Sequence, residues 1–135
     1  HAPVKTSQEA ADIRGVTLAS GAKAMLLYDS KATLFSLAVI AADRKLNSKT
    51  FKKLIKAKNL RFASHDEVKN ITGCITGAVP PFGSLWRVQT YMDNSLRAQG
   101  ESINFNAGLR THSVQMSVED YIGVEKPVVG EFTDQ

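Results

Sequence analysis

A chain of 135 residues has the length of one domain, and its 43% hydrophobic and 22% charged residues lie far from disordered or fibrous compositions. Seventeen Lys and Arg against thirteen Asp and Glu leave a net charge of +4, a balance that favours polyanionic partners but is shared by many proteins that bind no nucleic acid. Cys74 is the single cysteine, so neither an internal disulfide nor a multi-cysteine zinc site can form, and a reducing, cytoplasmic setting is expected.

The chain begins at His1 rather than Met, so residues 1–135 read as one domain that can be excerpted from a longer protein. Thr6 and Glu9 have capping-box spacing and Gly15 closes the segment, predicting a short helix over 7–14. Residues 22–29 alternate loosely and 34–42 are almost all apolar, which predicts two strands, the second covered on both faces. Asp29, Ser30 and Lys31 between them predict a hairpin. The apolar run 37–42 is far short of the roughly 20 residues that cross a membrane, and no signal-peptide pattern appears.

Asn47 or Ser48 can cap a helix in which Phe51, Leu54 and Ile55 point inward. Lys49, Lys52, Lys53 and Lys56 fall largely outside that stripe and either solvate an exposed face or contact phosphate. A brief strand over 60–63 follows, then a helix to Thr72 opened by Ser64 with Glu67 and stopped by Gly73. Residues 73–83 hold three glycines and two prolines, too much punctuation for an element interior, so a shaped loop is predicted. Strands are expected over 86–91, 102–105 and 111–116, a helical turn at 93–95, and a last helix over 117–122 ending at Gly123. The tail 125–135 either docks along the domain or hangs loose.

Familiar catalytic patterns are missing from this sequence. Only His1, His65 and His112 occur, widely spaced, and no phosphate loop, dinucleotide fingerprint or nucleophile elbow is present. Metal and nucleotide cofactors are therefore not expected. Cys74, next to Ile75, reads as a small buried hydrophobe. The Gly-Pro loop is either pure architecture or a cradle of backbone N–H groups for an anion or a developing oxyanion. Lys23 shares a strand face with Met25 and Leu27; it is either an edge lysine whose amine snorkels out or a cation at a pocket rim. Arg110 and His112 begin an apolar face with Val114 and Met116, which suits a cleft mouth or a structural histidine. Asn106 before Gly108 is turn chemistry or a pocket amide.

Together the series Val4-Lys5-Thr6-Ser7, Glu9-Ala10-Ala11, Arg14-Gly15, Gly21-Ala22-Lys23, Ala42-Asp43-Arg44-Lys45-Leu46, Leu60-Arg61-Phe62-Ala63-Ser64, Thr72-Gly73-Cys74, the run from Gly77 to Gly83 and the run from Phe105 to Ser113 resembles the family of YbaK and prolyl-tRNA synthetase associated domains. The resemblance extends from about Val4 to Tyr121. It implies an α/β (α+β) fold, a curved, barrel-like mixed β-sheet flanked by short helices. The activity it implies is aminoacyl-tRNA deacylation, clearing mischarged tRNA, with tRNA for proline carrying a non-cognate small amino acid as the leading substrate. The alternative is a non-catalytic module that binds tRNA or a synthetase. By the same resemblance Lys23 matches an essential lysine anchoring the terminal phosphate or the carbonyl, and Gly77 and Pro81, with Ala78 and Val79 between them, match the loop that holds the aminoacyl group. Asn106 and Gly108 stand at the amino-acid pocket, with Asp43, Arg110 and His112 as weaker assignments. Hydrolysis without metal, cofactor or covalent enzyme intermediate is implied, water attacking the ester with help from a ribose hydroxyl. Implied partners are the acceptor end of mischarged tRNA and prolyl-tRNA synthetase or a synthetase complex, and no membrane.

Overall fold

A computed structural model of the chain describes residues 21–98, 100–106 and 113–134, without the side chains of Asn106 and Ser113. The helix predicted over 7–14 and the strand start at 111–112 lie outside the described residues.

Strands β1 (Ala22–Asp29) and β2 (Leu34–Ala41) form the expected antiparallel hairpin. The short β3 (Lys45–Leu46) leads to α1 (Ser48–Leu54), capped by Asn47, whose side chain accepts from the Thr50 N–H. Next come β4 (Leu60–Phe62) and α2 (His65–Thr72). A 3-10 turn (Gly83–Trp86), β5 (Gln89–Asp93) and α3 (Ser95–Ala98) follow the Gly-Pro loop. The chain then forms β6 (Ser102–Asn106), β7 (Ser113–Ser117), α4 (Val118–Glu125), β8 (Val128–Gly130) and β9 (Thr133–Asp134).

Five strands make a mixed sheet in the order β4-β1-β2-β5-β8, in which β2–β5 and β5–β8 are parallel. β3–β9 and β6–β7 form separate two-stranded ladders, and a bridge between Gly21 and Asn104 ties the latter to the start of β1. Among the described residues the sheet stays open rather than closing into the barrel-like form expected. The apolar run of β2 has a simple cause. Leu37, Val39 and Ala41 pack into a core with Met92, Leu96, Ile103 and Tyr121, while Ala38 and Ile40 pack into a second core with Leu27, Phe51 and Phe132. Alternation sends successive side chains to opposite faces, so the stretch covered on both sides, residues 37–41, is apolar at every position. Burying Phe51 completely supplies roughly 1.5–3 kcal/mol and fixes α1 on the second face.

The structure corrects two predicted boundaries. Trp86 lies in the 3-10 turn, and the strand begins at Gln89. The Gly83 N–H donates to Thr90 Oγ1 at 2.9 Å, a reversal that curls residues 83–87 before the chain can extend. Gly123 does not end α4, which continues to Glu125 and closes at Lys126 in the left-handed region. A helical Gly costs about 1 kcal/mol; burial of Val118 and Tyr121 and the bonds that the Glu125 carboxylate accepts from Ser84 and Thr90 outweigh it. The tail docks: buried Asp93 accepts from the Phe132 N–H at 2.7 Å and Thr133 Oγ1 at 3.0 Å.

Candidate active site

A cleft of about 470 Å³ opens beside the first half of β1. It exists because β4 pairs with β1 only from Leu27 to Asp29. One further bond runs from the Ala63 N–H to the Leu26 carbonyl at 2.9 Å, after which Ser64 turns the chain into α2. Ser64 Oγ accepts from the Glu67 N–H, and the Glu67 carboxylate accepts from the Ser64 N–H at 2.8 Å. Two orphan donors are thereby satisfied, and α2 starts at His65. Its buried Val68 forms part of the cleft wall with Leu26 and Val79.

Lys23, Gly77 and Val79, three positions expected to carry function, line this cleft together. The Lys23 amine donates to the Arg44 carbonyl at 3.3 Å, a long bond. Burial pushes its pKa down, while the charge of nearby Asp43 pulls it up. A cation with a thinned hydration shell, in a wall otherwise mostly apolar, is a strong partner for an anionic oxygen.

Gly77 sits at the third position of a turn closed by the Ala78 N–H donating to the Ile75 carbonyl at 3.0 Å. Its φ of 90° belongs to the region that this turn position demands and that favours glycine. Ala78 and Pro81 are fully buried and do not line the cleft. They shape the loop instead: the Tyr121 hydroxyl donates to the Pro81 carbonyl at 2.6 Å, and burial together with Glu125 pushes the Tyr121 pKa upward. A Cβ on Gly83 would meet the Val88 carbonyl at 2.5 Å and Thr90 Oγ1 at 2.6 Å, so the end of the loop also requires glycine. Cys74 packs against the first core.

Phe62, His65 and Thr76 also line the cleft; of the three only Phe62 belongs to the runs that carry the family resemblance, and no role attached to it there. The ring nitrogen His65 Nδ1 lies 2.7 Å from Thr76 Oγ1, linking the start of α2 to the residue before Gly77. Phe62 is 53% exposed, an aromatic face offered to whatever enters. Asn106 ends β6, but its side chain, with Gly108, Arg110 and His112, lies outside the described residues. Among the described residues no three His, Cys, Asp or Glu converge as metal ligands, and no helix is long and apolar enough to cross a membrane.

Residues 1–124 match the model of the aminoacyl-tRNA editing domain family. The chain belongs to that family. Among relatives of this editing domain, the multifunctional Ser/Thr-tRNA deacylase ProXp-y of Escherichia coli K12 is 31% identical over 134 residues, covering 98% of this chain and 80% of the relative. The proline–tRNA ligase of Bacillus licheniformis is 31% identical over 103 residues, 76% of this chain and 18% of the ligase. The crystal structure of a hypothetical protein superimposes with a TM-score of 0.89 at 25% identity, covering 99% of this chain and 87% of the other. That of a candidate trans-editing enzyme for prolyl-tRNA synthetase gives 0.86 at 19% identity, covering 99% and 85%. These likenesses bear out the expected family and its mixed α/β fold.

Proposed function

We propose that this editing domain is an aminoacyl-tRNA deacylase, whose substrate is tRNA for proline bearing a small non-cognate amino acid. The observation that carries the reading is the meeting of Lys23 with the Gly77 turn across one cleft. At about 470 Å³ the cleft falls within the roughly 300–1,000 Å³ of small-molecule sites, a size suited to an acylated terminal adenosine. Relatives named as a Ser/Thr-tRNA deacylase and a proline–tRNA ligase support the substrate class.

In the proposed reaction water adds to the ester carbonyl and the bond to the ribose oxygen breaks, giving a free amino acid and tRNA with its hydroxyl restored. Lys23 holds the adenosine phosphate or the carbonyl oxygen. The backbone around Gly77 fixes the aminoacyl group, and Val79 with Val68 limits the room for its side chain. Phe62 offers a stacking face to the base, the kind of contact worth about 1–3 kcal/mol. Asn106, Gly108, Asp43, Arg110 and His112 remain proposed contacts from the family resemblance. Charged tRNA as substrate places the work where translation occurs, with prolyl-tRNA synthetase as the natural partner.

The test is incubation of the purified chain with alanyl-, cysteinyl-, seryl- and threonyl-tRNA for proline, following release of the amino acid. Loss of ester from at least one is expected, with prolyl-tRNA left intact. Binding of tRNA with no ester lost from any of them would leave a tethering module in place of the enzyme.

A further inference from the structure

Charge is distributed very unevenly along this chain. Residues 44–65 hold eight of the seventeen basic side chains and none of the thirteen acidic ones, leaving nine basic against thirteen acidic elsewhere. The whole positive balance therefore comes from the segment that runs from just before β3 to the start of α2. Lys45, Lys49, Lys52, Lys53, Lys56 and Lys58 are all exposed. Among the described residues the one ion pair of the segment joins Arg61 to Glu67.

At roughly 100° per residue Lys49, Lys52 and Lys53 fall within about 100° of arc, opposite the buried Phe51, and Lys56 follows just past the helix end. An ordinary solvated face intersperses opposite charges at i and i+4. This one repeats a single sign at those spacings, which disfavours a helix of seven residues. Lys49 also stands in a first turn that has no acidic residue, the end where the helix dipole opposes a cation. Such an arrangement is relieved by an external polyanion.

The same segment runs directly into the cleft. From Lys58 four extended steps, about 13 Å, reach Phe62 at the cleft wall. α4, with Glu119 and Asp120 in its first turn, packs against the first core while α1 packs against the second, so the acidic helix lies across the sheet from the lysines.

We propose that the lysine face of α1, with Lys56 beyond it, docks the phosphate backbone of the RNA stem whose acylated end occupies the cleft. This rests on the deacylase reading and extends it from the terminal nucleotide to the helical stem. These four exposed lysines, with no ion pair among the described residues, supply point charges that track phosphates without reading sequence.

The experiment compares wild type with K49Q/K52Q/K53Q/K56Q, and with the four-arginine counterpart as a charge-retaining control, after equal melting temperatures show intact folds. Binding of uncharged tRNA is measured across salt concentrations. Deacylation is measured on full-length mischarged tRNA and on an aminoacylated trinucleotide of its 3′ end. The glutamine variant is expected to bind tRNA at least tenfold more weakly, with the slope of log K against log salt reduced by about 3, since each of the four lost phosphate contacts removes roughly 0.7–0.9. Its turnover of full-length substrate falls similarly and that of the trinucleotide stays unchanged, while the arginine variant keeps wild-type behaviour. An unchanged tRNA affinity and salt slope would overturn the proposal, as would equal losses on long and short substrates. So would a loss seen only in binding to anionic vesicles or an acidic polypeptide. If wild type hydrolyses neither substrate the deacylase reading fails, and the salt slope alone then decides this one.

Discussion

Replacing Lys23 by Met separates catalysis from folding. The change removes the amine and keeps an unbranched apolar stem against Met25 and the cleft wall. The amine's bond to the Arg44 carbonyl is long, 3.3 Å, so its loss removes no more than about 1 kcal/mol, and relief of the amine's desolvation acts in the opposite direction. Net stability should change by less than roughly 1 kcal/mol. The reaction loses a donor to developing or resident negative charge, an effect of about 2.7–4 kcal/mol, or 100- to 1,000-fold in single-turnover deacylation. The sign of the pH effect follows from burial lowering the folded pKa of Lys23. Between that pKa and the ordinary lysine value of about 10.4 the unfolded chain binds more protons, so wild-type stability rises with pH across that alkaline window. Lys23→Met lacks this cost at neutral pH, and its stability relative to wild type should decline as pH rises through the window. Rate loss below tenfold in a folded variant, or a rate loss matched by a large fall in melting temperature, would refute the assignment of Lys23 to the substrate.

Four further single variants and one double variant test the frame around the cleft. Gly83→Ala drives a Cβ against backbone at 2.5 Å; chemical denaturation should show about 1–3 kcal/mol of destabilisation, together with reduced deacylation as the loop shifts. Glu67, held down to about pH 2 chiefly by the Arg61 guanidinium and then by the Ser64 N–H, contributes stability that is fully present above its unfolded pKa of about 4.3 and is lost as pH falls through 2. Glu67→Gln should be less stable than wild type near neutrality and show a flatter acid limb in melting temperature. His65→Ala and Thr76→Val, each cutting the 2.7 Å link to the Gly77 turn, should both raise KM several-fold with little change in melting temperature. The double variant should be no worse than either single one; additive losses would show that the two residues act separately.

Much of this molecule can be read from short windows of its sequence. Ser64 and Glu67 predict their own reciprocal bonds, Asn47 and Ser48 offer the cap that Asn47 provides, and Gly73 marks the stop of α2, because each signal is completed within a few residues. The unbroken apolar run of β2 announces burial on both faces for the same local reason. Trp86 misled because the Gly83–Thr90 bond, seven residues long, curls the chain before it can extend, and Gly123 because bonds from Glu125 and Tyr121 to residues 35 to 41 positions away overrode local preference. The cleft itself lies beyond any window. Lys23 and Gly77 are 54 positions apart, and His65 with Thr76 follows no motif; they meet only because β4 leaves β1 after Leu27 and α2 swings aside, carrying the loop to the opposite wall. Sequence alone thus determined which residues had unusual chemistry, since that depends on residue type and immediate neighbours. Tertiary structure decided which of them share a space, since that depends on where strand pairing stops.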